Sequence, residues 1–259
     1  AGARFPACRF GISAALAEAT CGPDGGGAGG YAVAALLPAG QRAVAQVDRA
    51  LASGYGVMKW KIGTAPTAEA LGWFRALAQR LGGRARLRLD ANGGLDPGDL
   101  RRWLEAAEAL PGTVEYIEQP LPPGREAEAA ELAEGYGTPL ALDESLNGPE
   151  ATFWLRPGNW AGPLVVKPLL MGDVTELLER LRPVAGQVVL SSVFETGIGL
   201  RNAFRLMDAL PPPAFACGFG TLDAFADDLN PVASQPILSG RERAGIDPEA
   251  LWRRLRHSS

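Results

Sequence analysis

From residue 31 onward the chain alternates short apolar runs with longer stretches whose apolar residues recur at helical spacing, the two periods that mark strands and amphipathic helices. YAVAALLP is followed by an Ala-rich helix over about 41–53, VMKWKIG by a helix over 67–81, RLRLDANG by one over 97–110, and VEYIEQPL by one over 125–136. LALDESL precedes a shorter helix near 149–155, PLVVKPLLMG one over 173–185, VVLSSVFETG one over 198–210, and AFACGFGT closes the series. Upstream, residues 10–20 read as a further helix. Residues 22–30 (GPDGGGAGG) read as a flexible connection into the first strand, with a flap over the strand ends as the alternative.

Strands alternating with helices predict an α/β fold of parallel βαβ units. An open, doubly wound sheet has the same alternation. A closed TIM-like barrel is favoured by where the polar residues fall, because several strands end in charged or hydroxyl residues followed by Gly, Pro or Asn. Barrels build their sites on that C-terminal rim, whereas open sheets concentrate them at a switch point. The predicted organisation is a remnant helix and Gly-rich connection over 1–30, a catalytic barrel over 31–225, and a C-terminal segment over 226–259 packing on the barrel or on a missing capping domain.

Strands of a parallel sheet covered on both faces should be almost wholly apolar, and here the exceptions are systematic. Lys59 and Lys61 lie on the second strand, Arg88 and Asp90 on the third, Glu118 on the fourth, Asp143 on the fifth and Lys167 on the sixth. Residues two apart in a strand share a face, so Lys59 and Lys61 point together, as do Arg88 and Asp90. Unpaired buried charge is costly, so these groups must meet one another or a ligand. Each taken singly could be a helix cap or a solvated rim residue. Jointly they point to the barrel mouth, with three carboxylates on one arc and lysines on either side. Oxygen donors in that number suit a hard cation that keeps open positions for a substrate.

A net charge of −4 over 259 residues argues against a nucleic-acid or anionic-membrane surface, while leaving room for a small anionic substrate at a locally cationic site. Apolar residues make up 47% of the chain, yet none of its runs approaches the roughly 18 needed to span a membrane. Cys8, Cys21 and Cys217 show no metal-binding or disulfide spacing, which fits a reducing cytoplasm. Oligomeric state is left open.

KWKIG, RLRLDANGG, YIEQPL, LALDESL, VVKPLLMG and SSVFETGIG follow the order and spacing of the muconate-lactonising subgroup of the enolase superfamily, and Asp90, Glu118, Asp143 and Lys167 are 28, 25 and 24 residues apart, one βα unit each. FGISAALAE, LDES and GFGTLD further resemble the o-succinylbenzoate synthases. The resemblance covers roughly residues 5–225 and implies a (β/α)7β barrel. Family members carry an N-terminal α+β capping domain, which is expected to be absent from this chain. By resemblance Asp90, Glu118 and Asp143 would ligate Mg²⁺, with Mn²⁺ as a possible substitute. Lys61 would be the base with Lys59 beside it, and Lys167 would stabilise the intermediate from the opposite face. Arg88, Ser191 and Gly218 match substrate-side positions. The implied reaction is dehydration of a succinyl-cyclohexadiene carboxylate to o-succinylbenzoate through an enediolate, in menaquinone or phylloquinone synthesis.

Rival chemistries are narrowed by what the chain lacks. Its one histidine, His257, is the third residue from the end and reads as a tail residue, so a His–Asp base pair on the late strands is excluded. A dipeptide epimerase would be expected to carry an Asp-x-Asp pair near the last strand, where this chain has GTLDAFADD. N-acylamino acid racemisation uses the same two lysines and stays open. A non-catalytic barrel would have been expected to lose at least one of the ionisable residues.

Overall fold

The computed structural model describes residues 5–21, 30–224, 234–239 and 247–257. In chain order the elements are α1 (Pro6–Cys21), β1 (Tyr31–Ala32), β2 (Ala35–Leu36), α2 (Arg42–Ala52), β3 (Val57–Lys61), α3 (Thr67–Leu81), β4 (Arg86–Asp90), α4 (Pro97–Glu108) and β5 (Val114–Glu118). They continue as α5 (Glu126–Ala133), β6 (Leu140–Ala141), α6 (Ala151–Trp154), β7 (Leu164–Val166), α7 (Val174–Leu181), β8 (Val188–Leu190), α8 (Gly197–Ala209), β9 (Ile237–Leu238) and α9 (Pro248–His257). The protein is α/β. β2 to β6 form one parallel sheet in sequence order, and β7 and β8 pair in parallel. Single parallel bridges join Leu142 to Leu164, Ser191 to Gly218, and Cys217 to Val33.

Local chemistry sets the helix ends. The Asp96 side chain accepts from the Asp99 N–H at the start of α4, with Pro97 in its first turn, and Asp173 accepts from the Thr175 and Glu176 N–H groups at the start of α7. α3 buries Ala70, Phe74, Leu77 and Leu81 along one face and stops at Gly82, whose φ of 54° is the left-handed C-terminal turn that glycine adopts without strain. α7 ends at Leu181, earlier than the spacing predicts, and the chain continues in tight turns over Arg182–Gln187. Pro183 has no N–H for the next helical bond and disfavours helix at the residue before it.

The two faces of the sheet carry separate cores. Met58, Trp60, Leu87, Leu89 and Ile117 are fully buried toward the helices, where Trp60 and Phe74 pack edge-on against Trp103 with ring centroids 6.0 and 5.7 Å away. On the opposite face Tyr116, Ala141, Val165 and Val189 form a smaller cluster under Phe215. That second face is the one that bears the ionisable residues.

Three expectations are corrected. YAVAALLP is divided between two sheets: Tyr31 and Ala32 run antiparallel to Leu238 and Ile237, and only Ala35 and Leu36 pair with β3. AFACGFGT makes single bridges at Cys217 and Gly218 rather than a strand. His257 ends helix α9, which Asp247 starts by accepting from the Glu249 and Ala250 N–H groups at 2.9 and 3.1 Å. The Gly-rich connection, apart from Gly30, and much of 226–259 lie outside the described residues. No helix among the described residues is long and apolar enough to cross a membrane.

Candidate active site

Strand register brings the ionisable residues to one level. Lys61 is opposite Asp90 and Asp90 is opposite Glu118, while Glu118 pairs with Ala141, two residues before Asp143. Lys59 Nζ lies 2.9 Å from Asp90 Oδ2 and 2.7 Å from Glu118 Oε1, and Lys167 Nζ lies 2.6 Å from Asp143 Oδ2. Above them is a cavity of about 410 Å³, lined among others by Lys59, Lys61, Asp90, Asp143, Lys167, Ser191 and Gly218. Glu118 is buried beneath its floor. All but one of the remaining predicted residues thus border one cavity.

Electrostatics at the floor are those of crowded carboxylates. Burial pushes the Glu118 carboxyl well above its ordinary range; Lys59 pulls it back, and Asp90 and Asp143 push it up again. Burial would lower the Lys59 ammonium, but Glu118 and Asp90 outweigh burial and hold it protonated, above the usual lysine range. With the ammonium groups of Lys59 and Lys167 occupying the carboxylate oxygens, no three acidic, His or Cys side chains among the described residues form an ion's ligand set. One oxygen nevertheless stays open: Asp143 Oδ1 is buried with no hydrogen-bond partner among the described residues. An orphaned carboxylate oxygen beside two further carboxylates, with no soft ligand near, fits a hard divalent cation.

Arg88 is corrected. It does not border the cavity but is wholly buried, with its Nε donating to Glu115 Oε2 at 2.6 Å and its guanidinium 4.9 Å from the Tyr116 ring centroid. The register shifts there, Leu87 pairing with Val114 and Arg88 with Tyr116, so Glu115 is the extra residue of a bulge and its carboxylate reaches inward.

Gly218 is required by geometry, because a Cβ there would stand 2.4 Å from Ser191 Oγ. Asn92, Ser192, Phe194 and Thr221 also border the cavity and were not singled out from the sequence. Asn92 has a φ of 45°, its N–H donates to Asp90 Oδ1 at 3.1 Å, and its Nδ2 donates to Glu144 Oε1 at 3.0 Å. Thr221 Oγ1 donates to Ser192 Oγ, which donates in turn to the buried Glu195. An Asn directly after a strand-end Asp-Ala was the available signal for Asn92. The Thr221 contact joins residues far apart in sequence and left none.

The family model described as enolase C-terminal domain-like matches residues 42–207. The o-succinylbenzoate synthase of Thermosynechococcus vestitus is 35% identical over 229 residues, covering 87% of this chain and 67% of that protein. That of Mycobacterium tuberculosis is 31% identical over 252 residues, covering 95% of this chain and 74% of its own. The crystal structure of o-succinylbenzoate synthase from Thermosynechococcus elongatus BP-1, complexed with magnesium in its active site, superposes with a TM-score of 0.78 at 32% identity, over 96% of this chain and 74% of that one. Muconate cycloisomerase from Pseudomonas fluorescens, at 22% identity and a TM-score of 0.74, shares the fold. The spacing of the site residues, the family model and these identities agree, and the chain belongs to the enolase superfamily, among the lyases of the o-succinylbenzoate synthase family.

Proposed function

We propose that this chain dehydrates 2-succinyl-6-hydroxy-2,4-cyclohexadiene-1-carboxylate to o-succinylbenzoate, in quinone biosynthesis. The observation that carries the reading is that Lys61 on β3 and Lys167 after β7 border the same cavity, with Asp90 and Asp143 between them and Glu118 beneath. The reading takes the eight parallel segments as a closed (β/α)7β barrel, supported by the three bridges that link the sheets and lead from the last run back to Val33. Asp90, Glu118 and Asp143 would hold Mg²⁺, for which Mn²⁺ could substitute. The cation supplies positive charge where the substrate carboxylate becomes electron-rich.

The remaining roles belong to the chain itself. Lys61, exposed at the cavity and opposite Asp90 in register, would take the proton α to the carboxylate. The electron pair left behind expels the hydroxyl, which departs as water after Lys61 returns the proton to it. Lys59, held as an ammonium between Asp90 and Glu118, keeps positive charge beside Lys61. Lys167 faces the developing dianion from the other side as a charge-stabilising donor. Ser191 and Gly218 shape the wall that receives the substrate.

Rates of elimination and of α-proton exchange in deuterated solvent test these roles. Lys61→Ala is expected to abolish both, and Lys167→Ala to lower elimination about 10²–10³-fold, the usual loss of one charge-stabilising donor. Elimination or exchange persisting in Lys61→Ala would remove Lys61 as the base. If instead each lysine variant still exchanges one enantiomer of an N-succinylamino acid while neither wild type nor variants dehydrate the cyclohexadiene, the chain is a racemase.

A further inference from the structure

We infer that Gln119 is the positioning residue that holds Asp143 at the cation site, anchored through Ser145 to Glu126 on helix α5. The inference rests on reading Asp90, Glu118 and Asp143 as the cation's ligands. Gln119 directly follows Glu118, yet its side chain turns away from the cavity and is buried. Its Nε2 donates to Leu121 O at 3.0 Å and to Ser145 Oγ at 2.8 Å. Its Oε1 accepts from the backbone N–H of Asp143 at 3.0 Å and of Ser145 at 3.2 Å. A primary amide has two N–H donors and two carbonyl lone pairs, and every one is used.

The chain of contacts continues outward. Ser145 Oγ donates to Glu126 Oε1, and that same oxygen accepts the Gly124 N–H at 2.9 Å. Glu126 is a buried carboxylate in the first turn of α5, outside the cavity. Gln119 itself has a φ of 37°, a left-handed conformation that non-glycine residues adopt only where the surroundings impose it. Here they do, because its own N–H donates to Ala141 O at 2.8 Å while its amide spans the loop beyond. The result is that Asp143 is fixed by its backbone. Among the described residues its carboxylate carries only Lys167 on Oδ2, and Oδ1 has no partner and is open to a ligand. A network that saturates the supports of a ligand while leaving an oxygen of the ligand itself unused is what preorganisation requires, and disrupting such supports commonly costs about 10–100-fold in metal affinity.

The test is calorimetric titration of the intact chain with Mg²⁺ alone. Wild type is expected to bind and Asp143→Asn to lose binding; if wild type does not bind, or Asp143→Asn binds equally well, the cation-site reading itself fails. Given that baseline, Gln119→Leu is expected to weaken Mg²⁺ about 10–100-fold while circular dichroism stays that of wild type. Glu126→Ala should weaken it through the same route, and the double variant should lose less than the product of the two losses, as residues acting through one network do. Glu126→Gln, whose amide oxygen can meet the same two donors, should restore near-wild-type affinity. Purely structural supports would lower the melting temperature without this pattern. Wild-type Mg²⁺ affinity in folded Gln119→Leu, or in folded Glu126→Ala should the first variant not fold, overturns the inference.

Discussion

Replacing Glu115 by Leu removes the sole ion-pair partner that Arg88 has among the described residues. Both side chains are almost fully buried, at 1% and 2% exposure, and Arg88 Nη2 already lacks a hydrogen-bond partner. A buried pair broken from one side costs about 3–5 kcal/mol, because the remaining charge is left without compensation. Arg86, half exposed, also pairs with Glu115 but returns to solvent at little cost. The Tyr116 face stays beneath the guanidinium and contributes on the order of 1 kcal/mol, so the lower end, about 3 kcal/mol, is expected. For a chain of this size each kcal/mol lowers the melting temperature by about 2–4 °C, giving a fall of about 6–12 °C by calorimetry. Adding Arg88→Met to Glu115→Leu should recover most of it, since apolar replacement of an entire buried pair is commonly near neutral. If the double variant is no more stable than Glu115→Leu alone, the stranded charge is not the cause. If folded Arg88→Met instead loses substrate affinity, Arg88 acts on the substrate after all.

Gly218→Ala should destabilise the chain by about 1–3 kcal/mol, the range for overpacking a tight contact, because the new Cβ meets Ser191 Oγ at 2.4 Å and Ser191 Cβ at 2.9 Å. Pairing it with Ser191→Gly should restore stability in urea melts, and failure to do so would place the strain elsewhere. Burial pushes the Cys217 thiol up to about 12, against a small opposing effect of Arg88, so native protein should resist iodoacetamide at Cys217 while the exposed Cys8 reacts. Rapid labelling at Cys217, read by peptide mass spectrometry, would mean that the strand bridge to Val33 opens readily.

Much of the helical layer was legible because α2, α3, α4 and α7 each bury one stripe at a fixed period. α3 matches its predicted bounds since Pro66 and Gly82 mark both ends. The lysine and carboxylate positions were legible for a related reason: an ionisable residue on a strand buried on both faces has few ways to be satisfied. What escaped depends on distant pairing. No local pattern announces that Tyr31 and Ala32 will leave the parallel sheet for Ile237 and Leu238. The left-handed turn at Gln119 is imposed by partners on the Asp143 loop.

Arg88 shows where the inward-charge argument stops. The strand period places it on the same side as Asp90 and requires that its charge meet another ionisable group or a ligand, and the resemblance implies the ligand; the structure gives it Glu115 instead. That partner could not be inferred, because Glu115 reads from alternation as a residue facing the helices together with Ile117. The bulge between β4 and β5 reverses that orientation and delivers a carboxylate one level below the cavity floor. A bulge depends on two strands that differ by one residue in the length of their paired segments, and neither strand's own pattern records it. Asp90, two residues further along the same face, meets the Lys59 ammonium, the Asn92 N–H and a crowd of carboxylates. The division between scaffold and site therefore runs between Arg88 and Asp90, and it is drawn by whether the fold supplies each charge with a dedicated partner or leaves it to share.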